Sequence, residues 1–282
     1  MRKHVVVVHT RSGFRYAHFI VKEVNLLGVR CGSTAWQEVD GYLDQGRRAV
    51  EDTLIHFRAT GPRRTTPKAR ALESRGFRVV NSSEVLERTG DKALSYEWGR
   101  KHGFELPLTK EGSKSEIKGF VSELGLEKFV IKPVTSKSQG AYCFQSYPSD
   151  PDFPSKLSQV LGREVIVQEF VDYLRIYRVI VIGGRVLDSA VFSDEPRGER
   201  WKVSVCLNPE MQLVKRPDND LLEYALKIAE VFGTEIGFID VFQTEDGYVL
   251  SEINTACSLI LHERMSRWNI SREIAQYLVS QL

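Results

Sequence analysis

Gly237-Phe238-Ile239-Asp240-Val241, then Glu245-Asp246-Gly247, then Tyr248-Val249-Leu250-Ser251-Glu252-Ile253-Asn254 is the most informative stretch of this 282-residue chain. Two apolar segments, 236–243 and 248–253, flank an Asp-Gly pair, which is a strong short-range signal for a hairpin. Glu252 and Asn254 are two residues apart and share one face of the second strand. Asp240 sits in the first strand. Two carboxylates and an amide oxygen thus converge across one hairpin. Hard oxygen ligands of this kind suit Mg²⁺ held between protein and phosphate oxygens. The plain alternative is the solvated side of an ordinary hairpin.

Working back from this hairpin, residues 221–232 have amphipathic helical spacing and end at Gly233. Residues 177–187 read as strand, Gly183-Gly184 turn and strand, a second hairpin. Its first strand carries Arg178, a residue type suited to bidentate phosphate contact in a partly dry site. Residues 129–133 form an apolar strand with one lysine, Lys132. A buried lysine needs a partner. A nucleotide phosphate would serve; otherwise the head snorkels to the sheet edge. The small polar run 134–140, ending at Gly140, can fold over phosphates through its backbone N–H groups. Residues 164–171 are another apolar strand, ending Gln168-Glu169-Phe170-Val171. At an interdomain cleft its backbone can meet a purine edge and its carboxylate the ribose hydroxyls. A helix over 271–282 closes the chain.

The first third alternates strands and helices. Strands are expected over 5–8, 53–58 and 77–80, and helices over 16–27 and 69–75, the latter ended by Gly76. Residues 81–83 (Asn-Ser-Ser) can cap a following helix. This alternation implies a parallel α/β sheet. The basic stretch 61–68 (Gly-Pro-Arg-Arg-Thr-Thr-Pro-Lys) reads as a loop, either solvated or meeting an anion. Further helices are expected over 92–102 and 113–124, with an extended piece at 106–109 around Pro107. The expected division is 1–83, 84–171 and 172–282. There is neither a P-loop nor a GxGxxG after the first strand, so motif supports neither a Walker-type ATPase nor a dinucleotide-binding Rossmann domain.

Charge is nearly balanced, with 39 basic against 37 acidic residues, which gives no case for a nucleic-acid binder. No apolar run approaches the roughly 20 residues of a membrane span, and residues 5–8 are too short for a signal peptide. Cys31, Cys143, Cys206 and Cys257 lack CxxC or zinc spacing, which suits a reduced, cytoplasmic protein. His9, His18 and His262 lack metal spacing. Trp36, Trp98, Trp201 and Trp268 read as packing. Arg11 follows the first strand, where ligands gather in parallel sheets, and is a candidate contact for an acidic substrate. His262, Arg264 and Arg267 follow the hairpin and are candidates for an acceptor pocket.

The order of these pieces resembles the ATP-grasp superfamily, and within it the RimK-like carboxylate–amine ligases, from about Phe77 to Leu282. Val80-Asn81-Ser82 with Asp91-Lys92 resembles the entry to the domain. Pro107-Leu108-Thr109 resembles its P.T turn, and Val130-Ile131-Lys132-Pro133 with Gly140 its phosphate strand and loop. Val167-Gln168-Glu169-Phe170 resembles the adenine hinge. Arg178 to Arg185 resembles a conserved strand pair, and Gly237–Asp240 with Glu252-Ile253-Asn254 the metal strands. The resemblance implies an ATP-grasp fold, with an N-terminal α/β domain and two α+β subdomains clasping the nucleotide. It implies that Lys92 and Lys132 contact ATP phosphates and that Gln168, Glu169, Phe170, Val171 and Asp172 hold the nucleoside. Arg178 would act near the γ-phosphate, and Asp240, Glu252 and Asn254 would hold Mg²⁺ or Mn²⁺.

Three departures lie toward the acceptor. Ile176 stands where the family often has Asp. Residues 200–204 replace an Arg-x-Asn segment, with Lys202 as the stand-in. Residues 255–258 replace Pro-Gly. The implied chemistry is phosphorylation of a carboxylate by Mg·ATP, then attack of an amine on the acyl phosphate. The acceptor would be a small molecule, an amino acid, a peptide or a protein tail, and the enzyme a monomer or homo-oligomer. A kinase that omits the amine step, and a non-catalytic ATP-binding regulator, are the rival readings.

Overall fold

The computed structural model describes residues 3–46, 48–59, 61–134, 142–196 and 211–282. The chain opens with β1 (His4–His9), α1 (Phe14–Leu26), β2 (Arg30–Ala35), α2 (Val39–Gln45), β3 (Thr53–Arg58), α3 (Pro62–Ser74) and β4 (Arg78–Val80). The four strands form a parallel sheet in the order β2-β1-β3-β4. The Val5–Val8 run feeds both faces, as parallel strands covered on both sides require. Val5 and Val7 pack with Ala17, Ile20 and Val24 of α1. Val6 and Val8 pack with Val39 and Leu43 of α2 and Ala69 and Leu72 of α3.

The basic stretch 61–68 is a helix start rather than a loop. Gly61, at φ +114°, is the N-cap of α3 and Pro62 occupies its first turn, where a missing N–H costs nothing. Turn-forming composition and helix-starting composition coincide here, so the stretch reads either way. Lys68 reaches Asp40 of α2 at 2.5 Å and Arg75 reaches the same carboxylate at 2.9 Å, which ties α3 to α2.

Next come α4 (Ser83–Gly90) and α5 (Lys92–Lys101). A second sheet follows from β5 (Thr109–Ser113), α6 (Ile117–Glu123), β6 (Phe129–Pro133), β7 (Phe144–Ser146), α7 (Phe153–Gln159) and β8 (Glu164–Glu169). Its order is β5-β8-β6-β7, all antiparallel. The expected helix over 113–124 is shorter, because residues 109–113 pair instead with 164–168 of β8. Pairing with a distant strand outweighs weak local propensity there.

The third sheet contains β9 (Arg175–Ile182), β10 (Arg185–Val186), β11 (Phe192–Asp194) and β12 (Gln212–Leu213). After α8 (Asn219–Phe232), β13 (Ile236–Gln243) and β14 (Tyr248–Asn254) complete it, and α9 (Ile260–Ser266) and α10 (Ile270–Ser280) close the chain. The main path is β12-β11-β9-β13-β14, with β10 on β9. Gly183 and Gly184 turn β9 into β10 at φ +57° and +73°, left-handed values that glycine adopts without strain. Tyr96, Phe104 and Leu106 are buried with α8, Val179, Ile239 and Ile253. That packing holds α5 against α8 and strands β9, β13 and β14.

His56 is fully buried, and its Nδ1 donates to the Val80 carbonyl at 2.9 Å. Burial, reinforced by the Arg58 charge, pushes the imidazole from 6.5 down to about 3. Between those values the unfolded chain binds the extra proton, so stability falls as pH falls, by about 1.4 kcal/mol per unit from this group. His56→Gln is expected to flatten that slope. Urea unfolding at pH 7, 6 and 5 reads it directly, and an unchanged slope would acquit His56.

Candidate functional site

Three adjacent strands set the centre of the site. Arg178 of β9 lies opposite Asp240 of β13, and Asp240 lies opposite Glu252 of β14. The Arg178 guanidinium grips Asp240 in a two-pronged ion pair, Nε to Oδ1 at 2.7 Å and Nη2 to Oδ2 at 2.6 Å. Both residues are buried. Asn254 Nδ2 donates to Asp240 Oδ2 at 3.4 Å. The β13–β14 register shifts just past Asp240, where Val241 pairs with Leu250. Ser251 is thereby skipped in the ladder, and its carbonyl accepts from the Tyr96 hydroxyl at 2.5 Å.

Helix α5 brings the next cation. Asp91 caps it by accepting from the Ala93 and Leu94 N–H groups, at 3.0 and 3.2 Å. Lys92 stands in the first turn, where the helix dipole disfavours positive charge. Its Nζ lies 3.0 Å from Glu252 Oε2. From the second sheet, Lys132 Nζ donates to Gln168 Oε1 at 2.5 Å, and Gln168 Nε2 donates to Thr109 Oγ1 at 2.9 Å. Lys132 Nζ also sits 5.6 Å from the Tyr96 ring centre. The site is therefore closed from two sheets and one helix.

Its electrostatics follow from burial and close opposite charge. Burial lowers the Lys132 ammonium, with Cys143 and Glu252 opposing. Burial alone would raise the Glu252 carboxyl. Lys92, by charge and hydrogen bond, then Lys132 and Arg178, outweigh it and hold the group below its usual range. At Asp240 burial prevails and raises the carboxyl against the Arg178 pair. Among the described residues named here, Lys92, Lys132 and Arg178 meet Asp240 and Glu252, a grouping of charge that suits a polyanion.

The oxygens of Asp240, Glu252 and Asn254 are of the kind Mg²⁺ takes. Among the described residues no three His, Cys, Asp or Glu side chains gather as a metal cage.

The strand-end residues are arranged differently from one another. The Glu169 carboxylate accepts from the Leu108 N–H at 3.0 Å, and Glu169 N–H donates to the Leu108 carbonyl at 2.8 Å. The Phe170 N–H donates to the Lys128 carbonyl at 3.0 Å. Lys128 Nζ stands 3.7 Å over the Phe170 ring and 2.9 Å from Asp172. Val171 is half-buried beside them. Gly140 and Lys202, with the rest of their loops, lie outside the described residues.

The acceptor-side candidates do not assemble. Arg11 is exposed in the turn after β1. Arg264 is exposed on α9. His262 is 1% exposed, with its ring 4.8 Å from Phe192 and 6.1 Å from Phe238 and its Nδ1 donating to the Ser258 carbonyl. The structure places it in the core, not on a pocket wall. Tyr96 is not among the residues the sequence singles out, and Thr109 enters there only within the Pro107-Leu108-Thr109 turn. The signal for Tyr96 was its position four residues after Lys92, on the same helix face.

The model of the RimK-like ATP-grasp domain matches residues 89–278. A probable alpha-L-glutamate ligase of Legionella pneumophila (strain Corby) is 25% identical over 236 residues, covering 80% of this chain and 77% of that protein. Another, from Parasynechococcus marenigrum (strain WH8102), is 24% identical over 194 residues and 67% of this chain, but the match spans only 41% of that protein. The crystal structure of a RimK domain ATP-grasp protein from Sphaerobacter thermophilus superimposes with a TM-score of 0.65 at 18% identity, covering 98% of this chain and 99% of that one.

Proposed function

The chain belongs to the RimK-like ATP-grasp family, and from that premise we propose that it is a ligase that spends Mg·ATP to join a carboxylate to an amine. The observation that carries the reading is the meeting of Lys92, Lys132 and Arg178 with Asp240, Glu252 and Asn254 between two sheets. In this reading residues 1–83 form the leading domain, and 84–171 and 172–282 clasp the nucleotide. Lys92 and Lys132 neutralise phosphate oxygens as charge builds in phosphoryl transfer. Arg178 holds Asp240 in place and faces the transferred group. Gln168 orients Lys132. Phe170, Val171, Glu169 and Asp172 hold the nucleoside.

Asp240, Glu252 and Asn254 would hold Mg²⁺, or Mn²⁺ in its place, which when bound would supply charge neutralisation for phosphoryl transfer. A carboxylate oxygen attacks the γ-phosphorus, ADP leaves, and an acyl phosphate forms. The amine nitrogen then attacks the carbonyl carbon and loses a proton as phosphate departs, leaving an amide. Because relatives are named as glutamate ligases, L-glutamate is the first acid and amine to try, with short peptides and protein tails as acceptors. No helix in the described residues is long and apolar enough to cross a membrane, and we place the reaction in the cytoplasm.

The test is ADP release from Mg·ATP across pools of amino acids and peptides, with mass spectrometry of the products. ADP formed only with a carboxylate–amine pair, with an amide of matching mass, is the expected result. ADP with a phosphorylated acid and no amide would make the chain a kinase. Nucleotide binding without turnover across broad pools would make it a binding protein.

A further inference from the structure

Arg58 ends β3, at the C-terminal edge of the parallel sheet, and is 5% exposed. Its Nη2 donates to the Cys257 carbonyl at 2.7 Å. Its Nη1 is fully buried and has no hydrogen-bond partner among the described residues. No ion pair neutralises it there. The adjacent titratable group on its face of the strand is His56, which burial keeps neutral. Its opposite number at the end of β1 is His9, also buried, with Nδ1 donating to the Thr10 carbonyl at 2.8 Å.

A buried guanidinium lacking a counter-ion destabilises a fold, and an apolar residue of similar volume would pack at no such cost. A further feature points the same way. Cys257, the residue Arg58 touches, lies three residues beyond Asn254. Three extended residues reach at most about 10 Å, so Arg58 stands within a small molecule's length of the metal strand. The short Thr10-Arg11-Ser12 turn lies at the same sheet edge.

We propose that Arg58 is a specificity residue that receives a carboxylate of the substrate, the one that does not react. The ligand class is an amino acid, or a peptide end, that carries a free carboxylate about one molecule's length from the group joined. This deepens the ligase reading and rests on it for the word substrate. The anion site itself stands on Arg58 alone.

The experiment measures melting temperature in titrations with L-glutamate, glutarate and, as an uncharged control, glutaramide, with Mg·AMPPNP present. Wild type is compared with Arg58→Gln, which keeps a donor and removes the charge, and Arg58→Lys, which keeps the charge and loses the fork. The carboxylates are expected to stabilise wild type and glutaramide is not. The apparent Kd for the carboxylates should weaken about ten- to hundredfold in Arg58→Gln, and by less in Arg58→Lys. The melting temperature of free Arg58→Gln should not fall, since an uncompensated charge has been removed. Equal carboxylate response in all three proteins would overturn the proposal, as would no response in wild type. So would a fall in the free variant's melting temperature, which is the mark of a purely structural arginine. Failure of Arg58→Gln to fold counts as that same fall, and Arg58→Lys then reports only whether charge without the fork restores the carboxylate response. Mg·AMPPNP binding is followed separately by calorimetry, so loss of the ATP reading is seen independently of the carboxylate result.

Discussion

Asp240→Ala is expected to destabilise the chain by about 3–5 kcal/mol, because it strips the carboxylate from a buried guanidinium. Arg178 is 2% exposed, and two of its N–H groups end on Asp240. The cost comes from leaving that charge in a low-dielectric interior, where water cannot replace the lost oxygens. Urea unfolding followed by circular dichroism measures it as a lower midpoint. The double substitution Arg178→Met with Asp240→Leu should recover most of the loss, since an apolar pair of similar volume has no charge to desolvate. It should recover no turnover. A loss below about 1 kcal/mol in Asp240→Ala would be the value of an exposed pair, and would mean that the ion pair does not hold these strands together.

Lys132→Met is expected to lower ADP release about 10²–10³-fold, the usual effect of removing one donor aimed at developing charge. The melting temperature should not fall, because burial already disfavours the ammonium in the free protein. Stability and turnover therefore move apart, which distinguishes a phosphate ligand from a structural lysine. Phosphate oxygens would restore what burial takes away, so the loss should appear in turnover and in Mg·ATP affinity together. A decrease of less than threefold in both would remove Lys132 from the site. Glu252→Ala gives a companion result. Its carboxylate offsets Lys92 and Lys132 in the free protein, so its loss should weaken the response to Mg²⁺ more than the response to nucleotide alone.

The two readings of residues 61–68 and 113–124 show where local pattern misleads. Gly-Pro-Arg-Arg begins a helix as readily as it forms a loop, because Pro at a first helical position loses nothing. The segment 109–113 has no strong strand signal, yet β8 recruits it into the sheet. His262 reads as a pocket residue because it follows the Glu252–Asn254 strand, but sequence proximity does not say which way a helix turns its face. Arg58 carries its charge at the end of an apolar strand, where Lys132 carries one inside its strand, and no motif frames it.

Within the sequence alone, short-range physics determined the two hairpins, the α/β beginning and the Asp240–Glu252–Asn254 face. Each depends on residues a few positions apart, through the alternation of strand faces and the turns that glycine permits. Only the tertiary structure decided that Lys92 of α5 and Lys132 of β6 close on Glu252, and that β9 sets Arg178 beside Asp240. It also decided that Arg58 would reach Cys257, 199 residues along the chain. Those meetings are set by how elements distant in sequence bury apolar surface against one another, the first sheet against the third and α5 against α8 and the third sheet. That choice is made by the whole core at once and is not written in any single segment.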